Sequence, residues 1–436
     1  MNAESARVIS GFDGIGLAPA EILVPAPGVD VTRWAVVACD QFTSQPEYWR
    51  EAEALVGDSP STLGMILPEV YLNAPDAPER ARRILSNMRL AADSGAALPF
   101  FGFALVERRF DEDGHGGSRP ARIGLVVAVD LEAYDFAASS TSPIRPTEGT
   151  IIERLPPRAA IRREAALELP HILLLLQDKA RSVVEPIYNR RGSLRPLYDA
   201  PLMLGGGSIK GWAIDDPNDI SAIGDALRSL PMADGVRAAV GDGNHSLAAA
   251  RSVWLETRDT IPQEQRAAHP LRYALAEACN VYDEGITFEP IHRIIYGAGM
   301  GEFMEAFAAW TAAQGGTLSG EPSSGRPLVC LSTEGESLFW IAGMKQQTTV
   351  GIVQAFLDQW SVLQNRPEVC VDYIHGDDTL RVLASQQPNR VGIMLPALDK
   401  SELFPAIARD GALPRKTFSM GHAREKRYYL ESRLLR

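Results

Sequence analysis

Residues 236–257 read VRAAVGDGNHSLAAARSVWLET, and this stretch decides how the surrounding chain is interpreted. An apolar run of strand length ends at Val240, and from Leu247 onward apolar residues recur at helical spacing. The polar residues 241–246, which we call the elbow, separate the two patterns. The stretch therefore predicts a strand, a tight turn and a helix.

The elbow has the composition of an anion-binding turn. Gly241 and Gly243 let the backbone turn sharply and approach a ligand, and Asn244 or Ser246 can cap the helix that follows. The first amide protons of a helix lie at the positive end of its dipole and attract phosphate groups. We therefore predict that the elbow binds phosphate.

Two elbow residues also suit acid–base catalysis. Asp242 is a carboxylate and His245 is of a type that titrates near neutral pH, so either could accept a proton from a substrate. The alternative interpretation is structural, because Asp-Gly-Asn is common in turns of unrelated proteins. A histidine near a helix start is likewise often a cap or wall residue.

A second segment, residues 141–163, combines a loop stiffened by Pro and Gly with several arginines. The loop residues predicted to contact phosphate are Arg145, Thr147, Gly149 and Thr150, with Glu148 as a candidate catalytic base. The arginines predict a positive patch, since the guanidinium fork matches phosphate oxygens. They are Arg145, Arg154, Arg158, Arg162 and Arg163. The alternative is a solvated helix face whose arginines pair with Glu153, Glu164 and Glu168.

The apolar run at residues 34–39 predicts a short buried strand, which the polar residues Asp40 and Gln41 follow. Side chains at the carboxyl ends of strands commonly contact ligands in α/β sheets, so both are candidate substrate-binding residues. The alternative is that Asp40 caps the helix predicted over residues 47–55.

Further candidates for substrate binding lie in the second half of the chain. Glu289, His292 and Arg293 combine an acid, a base and a guanidinium fork, and Arg293 is a candidate cation for the elbow. Arg415 and Lys416 are expected to fold back onto the same cleft, with the rest of the basic tail in solvent. The alternative for Glu289 and Arg293 is an ion pair across a structural turn.

Residues 372–378 place carboxylates on both sides of His375. Such a cluster could hold magnesium through one or two oxygens. Alternatively, Asp377 and Asp378 begin a helix and stabilise its N-terminus. The sequence therefore leaves the metal ligands unknown.

The bulk composition excludes several classes of protein. With 45% hydrophobic and 22% charged residues the chain has the composition of a soluble globular protein. A net charge of −12 argues against a nucleic-acid partner, since such binding relies on Lys and Arg. The first residues lack the pattern of a secretion signal and no apolar run is long enough to span a membrane, so we expect a cytoplasmic protein without a membrane partner. The oligomeric state remains open.

A length of 436 residues predicts more than one domain. The glycine-rich residues 297–301 form the predicted boundary. Residues 1–296 are expected to form an α/β core that carries the active site, and residues 302–436 a smaller α/β segment. The expected fold class is α+β with mixed α/β segments.

The elbow and its helix start, GDGNHSLAAA, resemble the Asp-Gly-His-His-Arg elbow of the domain of unknown function 1015 family, also labelled SerK-like. Three further blocks resemble family blocks in the same order, so the resemblance covers nearly the whole chain. These blocks are residues 141–158, 270–293 and 413–418.

The resemblance implies a nucleotide-binding core like that of the ParB and sulfiredoxin superfamily, with additional α/β segments. In that superfamily the equivalent loop at a helix start holds nucleotide phosphate. Two positions depart from the family pattern, because Asn244 replaces the first His and Ser246 replaces the Arg. The cation that normally lies on the phosphate must therefore come from elsewhere in the chain or be absent.

The resemblance also implies an activity, that of a small-molecule phosphotransferase similar to free-serine kinases. Such an enzyme moves a phosphoryl group between ATP or ADP, with Mg2+, and the hydroxyl of serine or a similar hydroxylated or phosphorylated metabolite. The candidate residues can supply the phosphate cradle, the cations and the base that this chemistry requires. The alternatives are a ParB-like nucleotide-binding regulator without catalysis and a phosphatase acting on phosphoserine-like compounds.

Overall fold

A computed structural model of the protein describes residues 8–43, 45–72, 74–110, 119–232, 235–322, 325–345, 348–364 and 369–436, with side chains at 361–364 not described. His115, which the sequence places in a Gly-rich surface loop, lies outside the described residues.

The described residues contain many short strands and a smaller number of helices. The strands in chain order are β1 (Leu17–Ala18), β2 (Ala20–Pro25), β3 (Ala97–Arg109), β4 (Arg122–Asp130), β5 (Ile144–Pro146), β6 (Leu167–Glu168), β7 (Leu173–Leu176), β8 (Arg195–Pro201), β9 (Ser208–Ile214), β10 (Ala238–Asp242), β11 (Tyr273–Asn280), β12 (Glu289–Tyr296), β13 (Thr317–Ser319), β14 (Arg326–Ser332), β15 (Gly335–Ala342), β16 (Cys370–His375), β17 (Arg390–Met394), β18 (Phe418–Ser419) and β19 (Arg433–Leu434). The helices are α1 (Pro46–Val56), α2 (Ala77–Asp93), α3 (Leu155–Glu164), α4 (Glu185–Asn189), α5 (Pro217–Ser229), α6 (Asn244–Arg258), α7 (Gln263–Arg266), α8 (Met300–Ala313), α9 (Thr349–Gln364), α10 (Asp377–Ala384) and α11 (Lys400–Asp410). This mixture confirms the predicted α+β class.

The chain divides into two compact units. Unit 1 comprises Met1–Ile286 and Gly421–Arg436, and unit 2 comprises Thr287–Met420. The division differs from the predicted boundary at both ends, because β12 belongs to unit 2 and the C-terminal tail belongs to unit 1. The tail is held in unit 1 by its backbone, since the amide of Tyr428 donates to the carbonyl of Val36 at 3.0 Å.

Unit 1 is built on a ten-stranded sheet with the order β5–β10–β7–β11–β4–β3–β9–β8, to which β1 and β2 add on β4 and β3. β10 pairs with β5 and β11 pairs with β7 in parallel, and the other neighbours in this order are antiparallel. All residues of β7 and β11 are buried, so both faces at the centre of the sheet are covered. The elbow follows β10, which lies next to β7, and it therefore leaves a buried part of the sheet.

Unit 2 is built on a smaller antiparallel sheet with the order β13–β15–β14–β17–β12–β16, with β18 pairing with β12. Four aromatic side chains from α8 and α9 pack against one another within its mainly aliphatic core. These are Phe303, Phe307, Phe356 and Trp360. Among the described residues, none of the helices in either unit combines the length and apolar character that a membrane crossing requires.

Two predicted strands are wrong. Residues 34–39 are buried but irregular, and within the described chain they pair only through a bridge from Val37 to Arg427. Residues 65–71 read MILPEVY, an apolar run that predicts a strand, but the structure has 3-10 turns at Thr62–Met65 and Glu69–Tyr71 instead. A local side-chain bond explains the first of these turns, since the hydroxyl of Ser61 caps it by accepting from the amide of Leu63.

Glu431 has a buried carboxyl group. It lies in the C-terminal tail, which pairs with the interior of unit 1. It accepts a hydrogen bond from the hydroxyl of Tyr198, while its Oε2 atom has no partner among the described residues. Burial raises the pKa of Glu431 from 4.5 to about 7, with a smaller contribution from Glu277, although the Tyr198 bond opposes the change. The folded state therefore binds a proton more tightly than the unfolded chain.

Replacing Glu431 by Gln is expected to flatten the dependence of folding stability on pH. Because the folded pKa exceeds the unfolded one, the wild type should lose stability relative to the variant as pH rises from about 4.5 through about 7, by at most ~3 kcal/mol. Urea unfolding between about pH 5 and about pH 8 measures this difference. Glu264→Gln, at an exposed position, controls for the loss of one charge. A difference between Glu431→Gln and wild type that does not change with pH would contradict a neutral buried carboxyl.

Candidate active site at the elbow

The parallel pairing of β5 and β10 brings together the two segments singled out from the sequence. Arg145 lies opposite Ala239 in this pair, and both strands end at the same edge of the sheet. Thr147 fixes the loop after β5, since its amide and its hydroxyl both donate to the carbonyl of Val240, at 3.2 and 2.7 Å. The loop at 147–151 therefore leaves the sheet beside the elbow.

A third segment reaches the same edge because β7 runs antiparallel to β10. The register of this pair shifts between Val240 and Asp242, so Gly241 lies at a β-bulge that turns the end of the strand. His171 precedes β7, and its Nε2 atom is 2.8 Å from the Oγ of Ser246. A histidine at the start of an apolar run such as residues 169–176 is expected to lie in the core, and His171 is buried, but it also contacts the elbow.

The elbow backbone requires glycine at position 243. Gly243 has a φ of 79°, in the left-handed region, and a Cβ there would lie 3.0 Å from the Cα of Ile172. Its amide donates to Oδ1 of Asp242 at 2.8 Å. Helix α6 starts directly afterwards, so its N-terminus faces the end of the sheet.

The start of α6 has unused hydrogen-bonding capacity. The prediction that Asn244 or Ser246 caps the helix is wrong, because Gly243 occupies the cap position and no side chain bonds to it in the described structure. The Oδ1 of Asn244 and the Oγ1 of Thr150 are buried and lack a hydrogen-bond partner among the described residues. The hydroxyl of Thr150 can donate to an anion next to this uncapped helix start, whereas the Oδ1 of Asn244 can only accept a hydrogen bond.

Lys426, from the C-terminal tail, supplies the positive charge at this site. Its Nζ lies 3.2 Å from Oδ2 of Asp242, and its carbonyl accepts from the amide of Ala38 at 2.8 Å. Burial alone would lower the pKa of Lys426, but the attraction of Asp242, Asp40 and Glu148 raises it above its usual value. The expectation that this part of the tail is in solvent is wrong.

Asp40 is the second carboxylate of the cluster around Lys426. Burial would raise its pKa, but the attraction of His171 and a hydrogen bond from Gln41 at 2.9 Å lower it, as do Lys426 and Arg158. Asp40 is therefore ionised at neutral pH. The alternative role of Asp40 as a helix cap is wrong, because the cap position of α1 is occupied by Gln45.

His245 holds a neighbouring loop in place through its Nε2 atom, which a base would use to accept a proton from substrate. Its Nε2 accepts a hydrogen bond from the amide of Ile151 at 3.1 Å, so that nitrogen carries no proton. The bond ties the loop after β5 to the start of α6. Among the three candidate catalytic residues, this contact argues against His245 as the base.

The arginines of residues 141–163 are largely used within the fold. Three of them form ion pairs, Arg158 with Glu69, Arg162 with Glu168 and Arg163 with Glu256. Arg145 is buried and donates to the carbonyl of Ser142 at 2.8 Å. The predicted open positive patch is therefore replaced by ion pairs. Only the Arg162–Glu168 pair uses a partner named in the alternative interpretation, and it is mostly buried rather than on a solvated helix face.

The remaining candidates lie in unit 2. Arg293 is buried and donates to Oε1 of Gln354 at 2.9 Å and to the carbonyl of Ile291 at 2.6 Å. Its guanidinium is therefore used inside unit 2, which contradicts its predicted role as the elbow cation. His292 accepts from the amide of Leu395 and has its Nε2 atom 2.8 Å from Asp377.

The other unit 2 candidates have structural positions. Glu289 lies opposite Ser419 in the β12–β18 pair. The backbone carbonyl of Arg415 is 3.4 Å from the Arg293 guanidinium. Lys416 has a positive φ of 60°. Asp377 and Asp378 begin helix α10, the alternative to magnesium binding. No group of three or more His, Cys, Asp or Glu side chains arranged to hold a metal occurs among the described residues.

A family model described as "Protein of unknown function (DUF1015)" matches residues 21–360 of the chain. Similar solved structures include free serine kinase in complex with AMP, at 10% identity and a TM-score of 0.37, covering 69% of this chain and 88% of that chain. A mutant of free serine kinase in complex with ADP is similar at 10% identity and a TM-score of 0.37, covering 72% and 92%. A conserved hypothetical protein from Pyrococcus furiosus is similar at 11% identity and a TM-score of 0.35, covering 68% and 90%. No curated relative matches the sequence.

Replacing Gly243 by Ala is expected to destabilise unit 1. The left-handed backbone costs a residue with a Cβ roughly 1–2 kcal/mol, and the approach of Ile172 adds to this cost. Urea unfolding measures the loss. Gly149→Ala is the matched control on the neighbouring loop, because a Cβ at that position would meet no atom within 4 Å and the expected change is small. Equal stabilities for the two variants would contradict the described elbow geometry.

Proposed function

This chain belongs to the DUF1015 family of proteins of unknown function, and we propose that it is a phosphotransferase that moves a phosphoryl group between a nucleotide and the hydroxyl of a small molecule. One observation carries the proposal: the uncapped start of α6 lies beside Lys426 and the carboxylates that surround it. Phosphoryl transfer needs donors and a cation for the phosphates and a carboxylate for the attacking hydroxyl, and this site contains each.

The phosphate-binding part of the proposed site is the elbow. The amides of Asn244 and Ser246 belong to the first turn of α6, where the helix itself provides no acceptor. Phosphate oxygens would accept from these amides and from the unpaired hydroxyl of Thr150. The family resemblance makes the donor ATP or ADP. Gly149 leaves room for phosphate to approach the backbone, because a Cβ at that position would meet no atom within 4 Å.

Lys426 is the proposed phosphate cation in place of the arginine that the family elbow carries at position 246. Its ammonium group remains charged because the surrounding carboxylates outweigh the effect of burial on its pKa. A charged amine beside the first turn of a helix reinforces the positive end of the helix dipole. Lys426 in the tail would thus provide the positive charge that Ser246 lacks.

The transfer step uses the carboxylates. The oxygen of the acceptor hydroxyl bonds to the terminal phosphorus, and the bond between that phosphorus and the bridging oxygen breaks with its electron pair passing to the nucleotide. Glu148 or Asp40 receives the hydroxyl proton, while Asp242 holds Lys426 through their ion pair. His245 positions the loop that carries Glu148.

Magnesium has no assigned ligand in this proposal. The described residues offer no group of three metal-binding side chains, and Asp242 is already paired with Lys426. Magnesium bound to a nucleotide is held mostly by phosphate and water, so such an ion needs few protein ligands. No step of the proposed reaction is therefore derived from a metal.

Lys426→Met is expected to weaken ATP and ADP binding by about tenfold or more, because a charge-assisted contact to phosphate is worth ~1.5–3 kcal/mol. Thermal shift titrations with ATP, ADP and phosphoserine measure the affinities. Lys210→Met is the matched control, since Lys210 pairs with Asp199 on a strand away from the elbow. Unchanged nucleotide affinity in Lys426→Met would contradict the proposed phosphate site.

Glu148→Gln and Asp40→Asn are expected to separate binding from chemistry. The variant that removes the base should lower kcat by about 100-fold or more with nucleotide affinity changed only a few-fold. Glu153→Gln, at an exposed position after the same loop, is the control. Nucleotide binding by the wild type without any turnover would favour a regulatory protein, and release of phosphate from phosphoserine without a nucleotide would favour a phosphatase.

A further inference from the structure

We infer that a cavity beside the elbow binds the acceptor of the proposed transfer, and that this acceptor is a neutral, compact apolar alcohol with about five carbon atoms. The inference rests on the proposed phosphotransferase function and adds to it the class of substrate. It differs from the serine that the family resemblance implies. Four properties of the cavity support it: size, lining, position and charge.

The size and lining of the cavity favour an apolar occupant. Its volume is about 140 Å³. An apolar cavity of ~150 Å³ can hold a benzene molecule, so about five or six carbon atoms fit. Most of its wall is apolar, contributed by Met65, Leu67, Met88, Leu169 and Ala249. Burying hydrocarbon against such a wall is favourable because apolar surface is removed from water, whereas a polar side chain would find few hydrogen-bonding partners there.

The position of the cavity connects it to the proposed chemistry. Cys39, His171 and Ser246 all line it. Cys39 directly precedes the carboxylate residue Asp40, and Ser246 lies in the first turn of α6 and is bonded to His171 at 2.8 Å. A molecule whose hydrocarbon part fills the cavity would therefore carry its hydroxyl at the side where the elbow and Asp40 lie.

The charges around the cavity argue against a zwitterionic acceptor. Its two lining arginines are already paired, Arg158 with Glu69 and Arg162 with Glu168. Serine would have to place an ammonium and a carboxylate group against a mostly apolar wall whose polar members are already engaged, Glu168 with Arg162 and His171 with Ser246, which costs free energy. A neutral alcohol avoids that cost and needs a hydrogen-bonding partner only for its hydroxyl.

The reaction follows the proposed transfer. The alcohol oxygen forms a bond to the terminal phosphorus of ATP or ADP, the bond from that phosphorus to the bridging oxygen breaks, and the nucleotide leaves with the electron pair. The hydroxyl proton passes to Asp40 or Glu148 and then to solvent. The products are an alkyl phosphate and the nucleotide shortened by one phosphoryl group.

The experiment compares isoamyl alcohol with L-serine on the full chain. Saturation-transfer NMR measures alcohol binding with and without ADP, and a coupled assay measures phosphoryl transfer to each acceptor. We expect isoamyl alcohol to bind and to have a kcat/KM about tenfold or more above that of serine, because its carbons are buried in the cavity. Serine as the better acceptor would overturn the inference.

Variants of the cavity wall give the sharper test. Ala249→Met fills the cavity and should lower the kcat/KM for isoamyl alcohol by about tenfold, with the ADP affinity unchanged within about twofold. Leu255→Met, at an exposed position on the same helix, is the matched control and should match the wild type. Met88→Ala enlarges the opposite wall and should shift the preference toward cyclohexylmethanol, which tests the cavity even if Ala249→Met does not fold.

The outcomes separate this inference from the proposed function. Alcohol binding that Ala249→Met abolishes, without transfer from any nucleotide, would support the cavity as the alcohol site and reject the phosphotransferase. Nucleotide binding without alcohol binding, or alcohol turnover that neither wall variant changes, would overturn the inference and leave the phosphotransferase standing.

Discussion

The ion pair between Lys426 and Asp242 is the interaction on which the elbow depends. Three carboxylates, those of Asp40, Glu148 and Asp242, act on the single ammonium group of Lys426. Like charges about 4 Å apart repel by ~4 kcal/mol at the effective permittivity of a protein surface, so such a cluster needs a cation. A nearby cation lowers the cost of keeping these acids ionised. The C-terminal tail must therefore be docked before the site has its working charge distribution.

The tail is positioned by groups that bind no ligand. Arg427 is buried and donates to the carbonyls of Ala35 at 3.1 Å and Met203 at 2.7 Å, which satisfies a charge that would otherwise be costly to bury. Gly206 makes room for this side chain, because a Cβ at that position would lie 2.6 Å from the Nε of Arg427. The glycine-rich turn at 203–207 thus serves to anchor Arg427, and with it the neighbouring Lys426.

The local pattern of apolar residues was sufficient to predict the elbow, because residues 236–257 contain both the apolar run of the strand and the helical spacing that follows it. The amphipathic pattern of residues 77–94 likewise predicts α2, and the apolar runs at residues 100–109 and 122–130 predict the β3–β4 pair. Local pattern could not predict Lys426 as the cation, since the pairing of the tail with residues 36–38 is a contact between opposite ends of the chain. Nor could it decide the role of His245, because this follows from a hydrogen bond to Ile151 that only the parallel β5–β10 pair brings about.

The origin of the cation also explains why the site can contain a cavity. An arginine at position 246, as in the family elbow, would place a long side chain in the first turn of α6, where Ser246 and Ala249 now border open space. Lys426 approaches instead from the tail and is held on the carboxylate side by Asp242. The positive charge is thereby supplied without filling the space next to the helix. The same exchange of residues that places the cation in the tail leaves open space beside the turn that we propose binds phosphate.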